Sequence, residues 1–242
     1  MLIIPAIDLK DGNCVRLRQG RMEDDTLFST DPAQMARRWQ REGARYLHLV
    51  DLNGAFAGSP VNREAIASIV DALDIPCQLG GGIRSLATIE EYLTLGLDRV
   101  ILGTVAVEQE SLVAEAARRF PGRVCVGIDA RRGKVSTRGW AEETELDALD
   151  LARKMQDFGV AAIIYTDILR DGMQTGVNLE ETGRLAEALD IPVIASGGIA
   201  SLEDVKQLLT IEEKGVTGAI TGRALYEGTL DLGEAMKLVA AA

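Results

Sequence analysis

The chain has 242 residues, 47% of them apolar, and a formal net charge of -11 from 26 Lys and Arg against 37 Asp and Glu. That balance excludes a general nucleic-acid surface, because phosphate backbones are met by clustered basic residues that this acidic chain does not show. An anionic ligand must therefore be held locally, by backbone N–H groups and helix N-termini.

Short apolar runs of strand length recur eight times, at 2–7, 46–50, 75–79, 99–102, 123–128, 161–165, 191–195 and 216–221. The first ends in Ile7-Asp8-Leu9 and runs into a turn at Gly12. Between the runs lie segments with helical spacing, such as Val61, Ala65, Ile66, Ile69, Val70 and Leu73, or Leu86, Ile89 and Leu93. Ser85 and Ser201 are expected N-caps, and Asp204 gives the second a capping box with Asp in place of Glu.

Cys14, Cys77 and Cys125 are odd in number and scattered, so they suggest small buried residues in a reducing compartment and neither a disulfide framework nor a zinc site. No apolar run reaches the roughly 18 to 20 residues of a membrane helix, and the stretch between Met1 and Pro5 is too short for a secretory leader. A cytoplasmic protein is expected.

The second half echoes the first. Ile7-Asp8 returns as Ile128-Asp129, 121 positions on; Val50-Asp51 returns as Thr166-Asp167, Gly81-Gly82-Ile83 as Gly197-Gly198-Ile199 and Val61-Asn62 as Val177-Asn178, each 116 on. Regular alternation of strands and helices, with Gly or Asp at the strand ends, predicts a parallel sheet covered by helices. Eight repeats favour closure into a single-domain α/β (β/α)8 barrel built from half-barrels of roughly 1–121 and 122–242. An open doubly wound sheet fits less well, because Gly80-Gly81-Gly82-Ile83-Arg84-Ser85 has Ser where a dinucleotide fingerprint needs its third Gly.

In such a barrel the chemistry lies at the C-terminal ends of the strands. Gly81 and Gly82 with Gly103 and Thr104 would form one phosphate cup, and Gly197 and Gly198 with Gly222 and Arg223 the other, since Gly allows close backbone approach and the next helix offers free N–H groups. Gly176 and Arg18 join this anion-binding set. Two cups on one mouth imply a small molecule with a phosphate at each end. Asp8 and Asp129, from strands on opposite sides, would then serve as base and acid between the cups. Thr166, Asp167, Arg170 and Asp171 form a further polar cluster, and Trp140, beside Gly139, offers a flat surface for a ring. His48, the sole histidine, lies inside an apolar run and is expected to be a hydrogen-bonded core residue.

As a set, Pro5-Ala6-Ile7-Asp8-Leu9, His48-Leu49-Val50-Asp51-Leu52, Gly80-Gly81-Gly82-Ile83-Arg84, Gly139-Trp140, Thr166-Asp167-Ile168, Arg170-Asp171-Gly172 and Ser196-Gly197-Gly198-Ile199 closely resemble the histidine-biosynthesis isomerase family. The match runs through the whole chain in order. The resemblance implies an Amadori rearrangement of the aminoaldose phosphoribosylformimino-5-aminoimidazole carboxamide ribotide, with no metal or cofactor. It implies Asp8 as general base, Asp129 or Asp171 as general acid, Thr166 as polar support and Trp140 as a stacking partner for the imidazole carboxamide. A monomer with no nucleic-acid or membrane partner is expected. The related cyclase carries Cys where this chain has Ala6 and a catalytic Lys where it has Arg16. A bifunctional relative that also isomerises phosphoribosylanthranilate is kept open by Arg138, and a non-catalytic phosphosugar-binding barrel would need no paired carboxylates.

Overall fold

The computed structural model describes residues 1–18 and 21–241. Among them the chain runs β1 (Leu2–Lys10), β2 (Asn13–Arg18), β3 (Arg21–Ser29), α1 (Pro32–Arg41), β4 (Leu47–Asp51), α2 (Leu52–Ala57), α3 (Arg63–Ala72), β5 (Cys77–Gly80), α4 (Leu86–Leu95), β6 (Arg99–Leu102), α5 (Val105–Glu108) and α6 (Glu110–Arg119). The second half continues with β7 (Val124–Arg131), β8 (Lys134–Thr137), β9 (Glu142–Asp147), α7 (Ala148–Asp157), β10 (Ile163–Asp167), α8 (Leu179–Glu187), β11 (Val193–Ser196), α9 (Leu202–Leu209), β12 (Val216–Thr221), α10 (Arg223–Glu227) and α11 (Leu232–Ala241).

Every residue of β5 and β10 is buried, as expected of strands that have helices on one face and a closed interior on the other. The parallel pairings run β1–β4–β5–β6–β7–β10–β11–β12 and return from β12 to β1, so the eight strands close a barrel. Alternation divides its core in two. Ile4, Ala6, Ile101, Cys125, Ile164 and Ile220 belong to the cluster inside the ring. Ile3, Ile7, Leu49, Leu79, Ile128 and Ile163 join the layer under the helices. Each fully buried Ile or Leu contributes roughly 1.5–3 kcal/mol. The same period of two carries Asp8, Asp129 and Thr166 inward, one step beyond Ala6, Gly127 and Ile164.

The duplication is visible in geometry as well as in sequence. Ser85 and Ser201 are N-caps with φ of -149° and -148°, each accepting from the N–H three residues on, and Ser201 forms the expected capping box with Asp204. Asn62 and Asn178 each donate Nδ2 to an Asp, Asp51 and Asp167 respectively, at 2.7 Å. All three cysteines are buried and free. Among the described residues no helix is long and apolar enough to cross a membrane.

The structure departs from the sequence reading in two places. Val61 precedes α3, is exposed, and donates its N–H to Asp51 in place of packing on a helix face. The antiparallel pairs β2–β3 and β8–β9 extend the first and fifth barrel strands into hairpins above the mouth. Their entry turns have two successive left-handed residues, Asp11 (φ 51°) with Gly12 (φ 78°) and Arg132 (φ 52°) with Gly133 (φ 77°), as a two-residue type I′ turn requires.

Candidate active site

A cavity of about 270 Å³ opens at the C-terminal ends of the barrel strands. Two groups of side chains face each other across it. The first is built on the β1–β2 hairpin, where Asp8 pairs in register with Val15 and so stands beside Arg16. Arg16 Nη1 lies 2.9 Å from Asp8 Oδ2, with both side chains 13% exposed. Burial pushes the Asp8 carboxyl up to about 6, the Arg16 charge opposes that rise, and the Asp171 carboxylate adds to it. Asp171 is itself raised by burial and pulled down by Arg16. Asp8, Arg16 and Asp171 are thus one electrostatic unit.

The second group comes from β7 and β10, on the far side of the ring. Asp129 and Thr166 are cross-strand partners in register. The Trp140 indole N–H, from the turn between β8 and β9, donates to Asp129 Oδ2 at 2.9 Å. Burial raises the Asp129 carboxyl, the hydrogen bonds from Trp140 and Thr166 oppose the rise, and the Asp171 carboxylate adds to it. Trp140 is held at φ 72° beside Gly139 at φ 63°. The expected ring surface is therefore also a hydrogen-bond donor to a candidate catalytic carboxylate.

Gly81, Gly82, Gly103, Thr104, Gly197, Gly198, Gly222 and Arg223 all line the cavity. The reason for glycine differs among them. A Cβ on Gly82 (φ 72°) would stand 2.8 Å from the carbonyls of Gly54 and Ser59, and one on Gly197 (φ 88°) would stand 2.9 Å from that of Asp167. Cβ atoms on Gly81 and Gly198 would overlap the carbonyls of Asp51 and Gly176. These four are glycine because the turn after the preceding barrel strand packs on them. Gly103 faces open space, and Thr104 Oγ1 accepts from the Arg138 N–H at 3.0 Å. Arg223 Nη1 donates to Gly172 O at 2.6 Å. Gly176 stands behind Gly198, bonded to its carbonyl at 3.1 Å, and not on the cavity wall. The side chain of Arg18 lies outside the described residues.

His48 corrects the core expectation in part. It is hydrogen-bonded, through Nδ1 to Gln78 Nε2 at 3.2 Å, yet it is only half-buried and lines the cavity. Burial, helped by the Arg16 charge, pushes its imidazole down to about 3, so it is neutral in the working pH range. Arg16 is the residue that sequence reasoning missed: it entered only as a contrast with the cyclase's Lys. The signal that could have found it is the Asp11-Gly12 dipeptide, which predicts a hairpin returning residue 16 to the level of Asp8.

The chain matches the family model described as "Histidine biosynthesis protein" over residues 2–231. It is 62% identical over 238 residues to a protein of Trichlorobacter lovleyi, covering 98% of this chain and 97% of that one. It is 61% identical over 240 residues to a protein of Thiobacillus denitrificans, with 98% and 96% covered. A Geobacter sulfurreducens protein is 60% identical over 238 residues, with 98% of each covered. All three relatives bear the name 1-(5-phosphoribosyl)-5-((5-phosphoribosylamino)methylideneamino) imidazole-4-carboxamide isomerase.

Proposed function

We propose, since the chain belongs to the histidine biosynthesis protein family, that it is the intramolecular aldose–ketose isomerase its relatives are named for. The substrate is the bisphosphorylated aminoaldose, with its phosphates bound at the Gly82/Gly103 and Gly198/Gly222 ends of the mouth. With that reading go a cytoplasmic location, a monomeric state and chemistry by side chains alone.

The observation that carries the reading is the pair of opposed carboxyl groups with raised proton affinities, Asp8 on β1 and Asp129 on β7. A protonated Asp129 gives its proton to the ribose ring oxygen, the C1–O bond breaks, and the amino nitrogen's lone pair forms the C1=N Schiff base. Asp8, ionised above about pH 6, then removes the C2 proton, and that electron pair forms an enaminol. Tautomerisation puts a proton on C1 and leaves the ketone at C2. Atoms and charge balance without an external reactant, because the reaction is an isomerisation. Two carboxyls can share this work because their surroundings differ.

Asp129 is assigned the acid because its carboxyl, across the mouth from Asp8, is oriented by hydrogen bonds from Trp140 and Thr166, whereas Asp171 acts by its charge on both Asp8 and Asp129 and is itself pulled down by Arg16. The second substrate, phosphoribosylanthranilate, is not favoured: the Arg138 guanidinium is already bonded to Glu108 and Glu142, each at 3.0 Å.

The test is turnover of the aminoaldose by the purified protein, read by chromatography of the aminoketose. Conversion is expected, with Asp8→Asn lowering kcat by roughly 10² to 10⁴ while KM changes little. A folded wild-type protein that leaves the aminoaldose unchanged would overturn the reading.

A further inference from the structure

The Asp51/Asn62 and Asp167/Asn178 pairs occupy matching places in the two half-barrels but do different work. Asn178 combines two duties: Nδ2 donates to Asp167, and Oδ1 accepts from the Glu181 N–H at 3.2 Å to cap α8. Asn62, 5% exposed, caps nothing, although it holds the N-cap position of α3. Its Oδ1 instead accepts from the Gly12 N–H at 2.8 Å, and its Nδ2 faces Leu9 O at 3.3 Å, Asp51 Oδ1 at 2.7 Å and Asn53 Oδ1 at 2.9 Å.

Asn53 completes the grip. Its Oδ1 accepts from the Asp11 N–H and its Nδ2 donates to Asp11 Oδ1, both at 2.8 Å. Asp11 and Gly12 are the left-handed residues of the turn between β1 and β2, and Leu9 follows Asp8 directly. Beneath both asparagines lies Asp51, fully buried, whose carboxylate also accepts from the N–H groups of Gly54, Val61 and Asn62. The second half has Leu169 where the first has Asn53, and that side chain is exposed.

We propose that Asn53 and Asn62 are positioning residues for the Asp8–Arg16 pair. Neither lines the cavity. They act by fixing the turn that joins the two strands on which Asp8 and Arg16 are carried, and so set where the carboxylate stands relative to the substrate's C2. α3 forgoes a side-chain cap so that Asn62 can reach that turn. A hairpin tip held only by its own turn would let the base drift, and misplacement on the order of 1 Å at a reacting group costs about 10²-fold in rate. The inference rests on Asp8 being the base.

The experiment compares Asn53→Ala and Asn62→Ala with Asn178→Ala in turnover of the aminoaldose, at a temperature where circular dichroism shows all to be folded. Asn53→Ala and Asn62→Ala are expected to lower kcat by about 10- to 100-fold with KM within about twofold, because the phosphates are bound elsewhere. Asn178→Ala should lose thermal stability with kcat unchanged. Asn53, partly exposed, keeps the test available if Asn62→Ala fails to fold. Wild-type kcat in a folded Asn53→Ala, or equal losses in all three variants, would overturn the proposal. Asp8→Asn is assayed alongside: if it is inactive while the Asn53 and Asn62 variants are normal, the inference alone falls. If Asp8→Asn turns over normally, the assignment of the base falls first.

Discussion

A methyl group added at Cα of Gly222 would overlap the guanidinium of Arg16, the same group that lies 2.9 Å from Asp8 Oδ2. The φ of Gly222 is -125°, outside the left-handed region, and the atoms an added carbon would meet belong to the far end of a flexible side chain and not to backbone. Gly222→Ala should therefore fold normally while moving Arg16 off Asp8. Without that opposing charge, burial carries the Asp8 carboxyl above its present value of about 6. The acidic limb of the kcat/KM profile should move to higher pH. A limb that stays in place would show that Arg16 does not tune the base.

Gly198 presents the opposite case. Its φ is 86°, and an added Cβ would overlap the backbone carbonyl of Gly176, which cannot swing aside as an arginine can. The left-handed conformation alone costs a non-glycine residue about 1 to 3 kcal/mol, and the overlap adds to it. Gly198→Ala is expected to lower the urea midpoint accordingly. A variant as stable as wild type would mean that the turn around Gly176 yields easily.

This contrast shows what the sequence could and could not convey. Glycine doublets at strand ends signalled close approach, and the 116-residue offset signalled that it happens twice. Which atoms approach depends on the neighbouring strand's turn, which is distant in sequence: Asp51 and Gly54 for Gly81 and Gly82, Asp167 and Gly176 for Gly197 and Gly198. The eight barrel strands were legible because burial on both faces makes them continuously apolar. The β2–β3 and β8–β9 hairpins were not, since β3 and β9 are rich in polar residues and have no buried residue among those whose burial is described, leaving no hydrophobic period to read. Arg16 went unassigned for the same reason, as its place beside Asp8 depends on one of those hairpins.

Burial of Asp8 should lower stability at neutral pH. Its carboxyl rises from 3.8 to about 6 on folding, so the native state holds the proton more tightly than the unfolded chain. The stability this contributes is fully present below about pH 4 and is lost as pH rises through about 6, a change of up to ~3 kcal/mol before allowance for solvent and relaxation. Asp8→Asn stays neutral throughout. Urea titrations should thus find it more stable than wild type at pH 7.5, with the difference vanishing near pH 4. Equal stability at both pH values would mean that Asp8 is not strained by burial.

Removing the Trp140–Asp129 hydrogen bond tests which carboxyl is the acid. The indole N–H favours the charged form of Asp129, so removing it raises that carboxyl's proton affinity further. Trp140→Phe keeps a flat ring for stacking and deletes the donor. If Asp129 is the acid, the basic limb of the pH–rate profile, where the required proton is lost, should move upward in Trp140→Phe. Asp129→Asn should lose kcat by roughly 10² or more, and Asp171→Asn should show a smaller loss, through its coupling to Arg16, Asp8 and Asp129. The opposite pattern is equally readable: a basic limb unmoved by Trp140→Phe, with Asp171→Asn as slow as Asp8→Asn, would transfer the acid's role to Asp171. Trp140 would then serve to hold Asp129 and to stack, and the proton for the ring oxygen would come from the loop that follows β10.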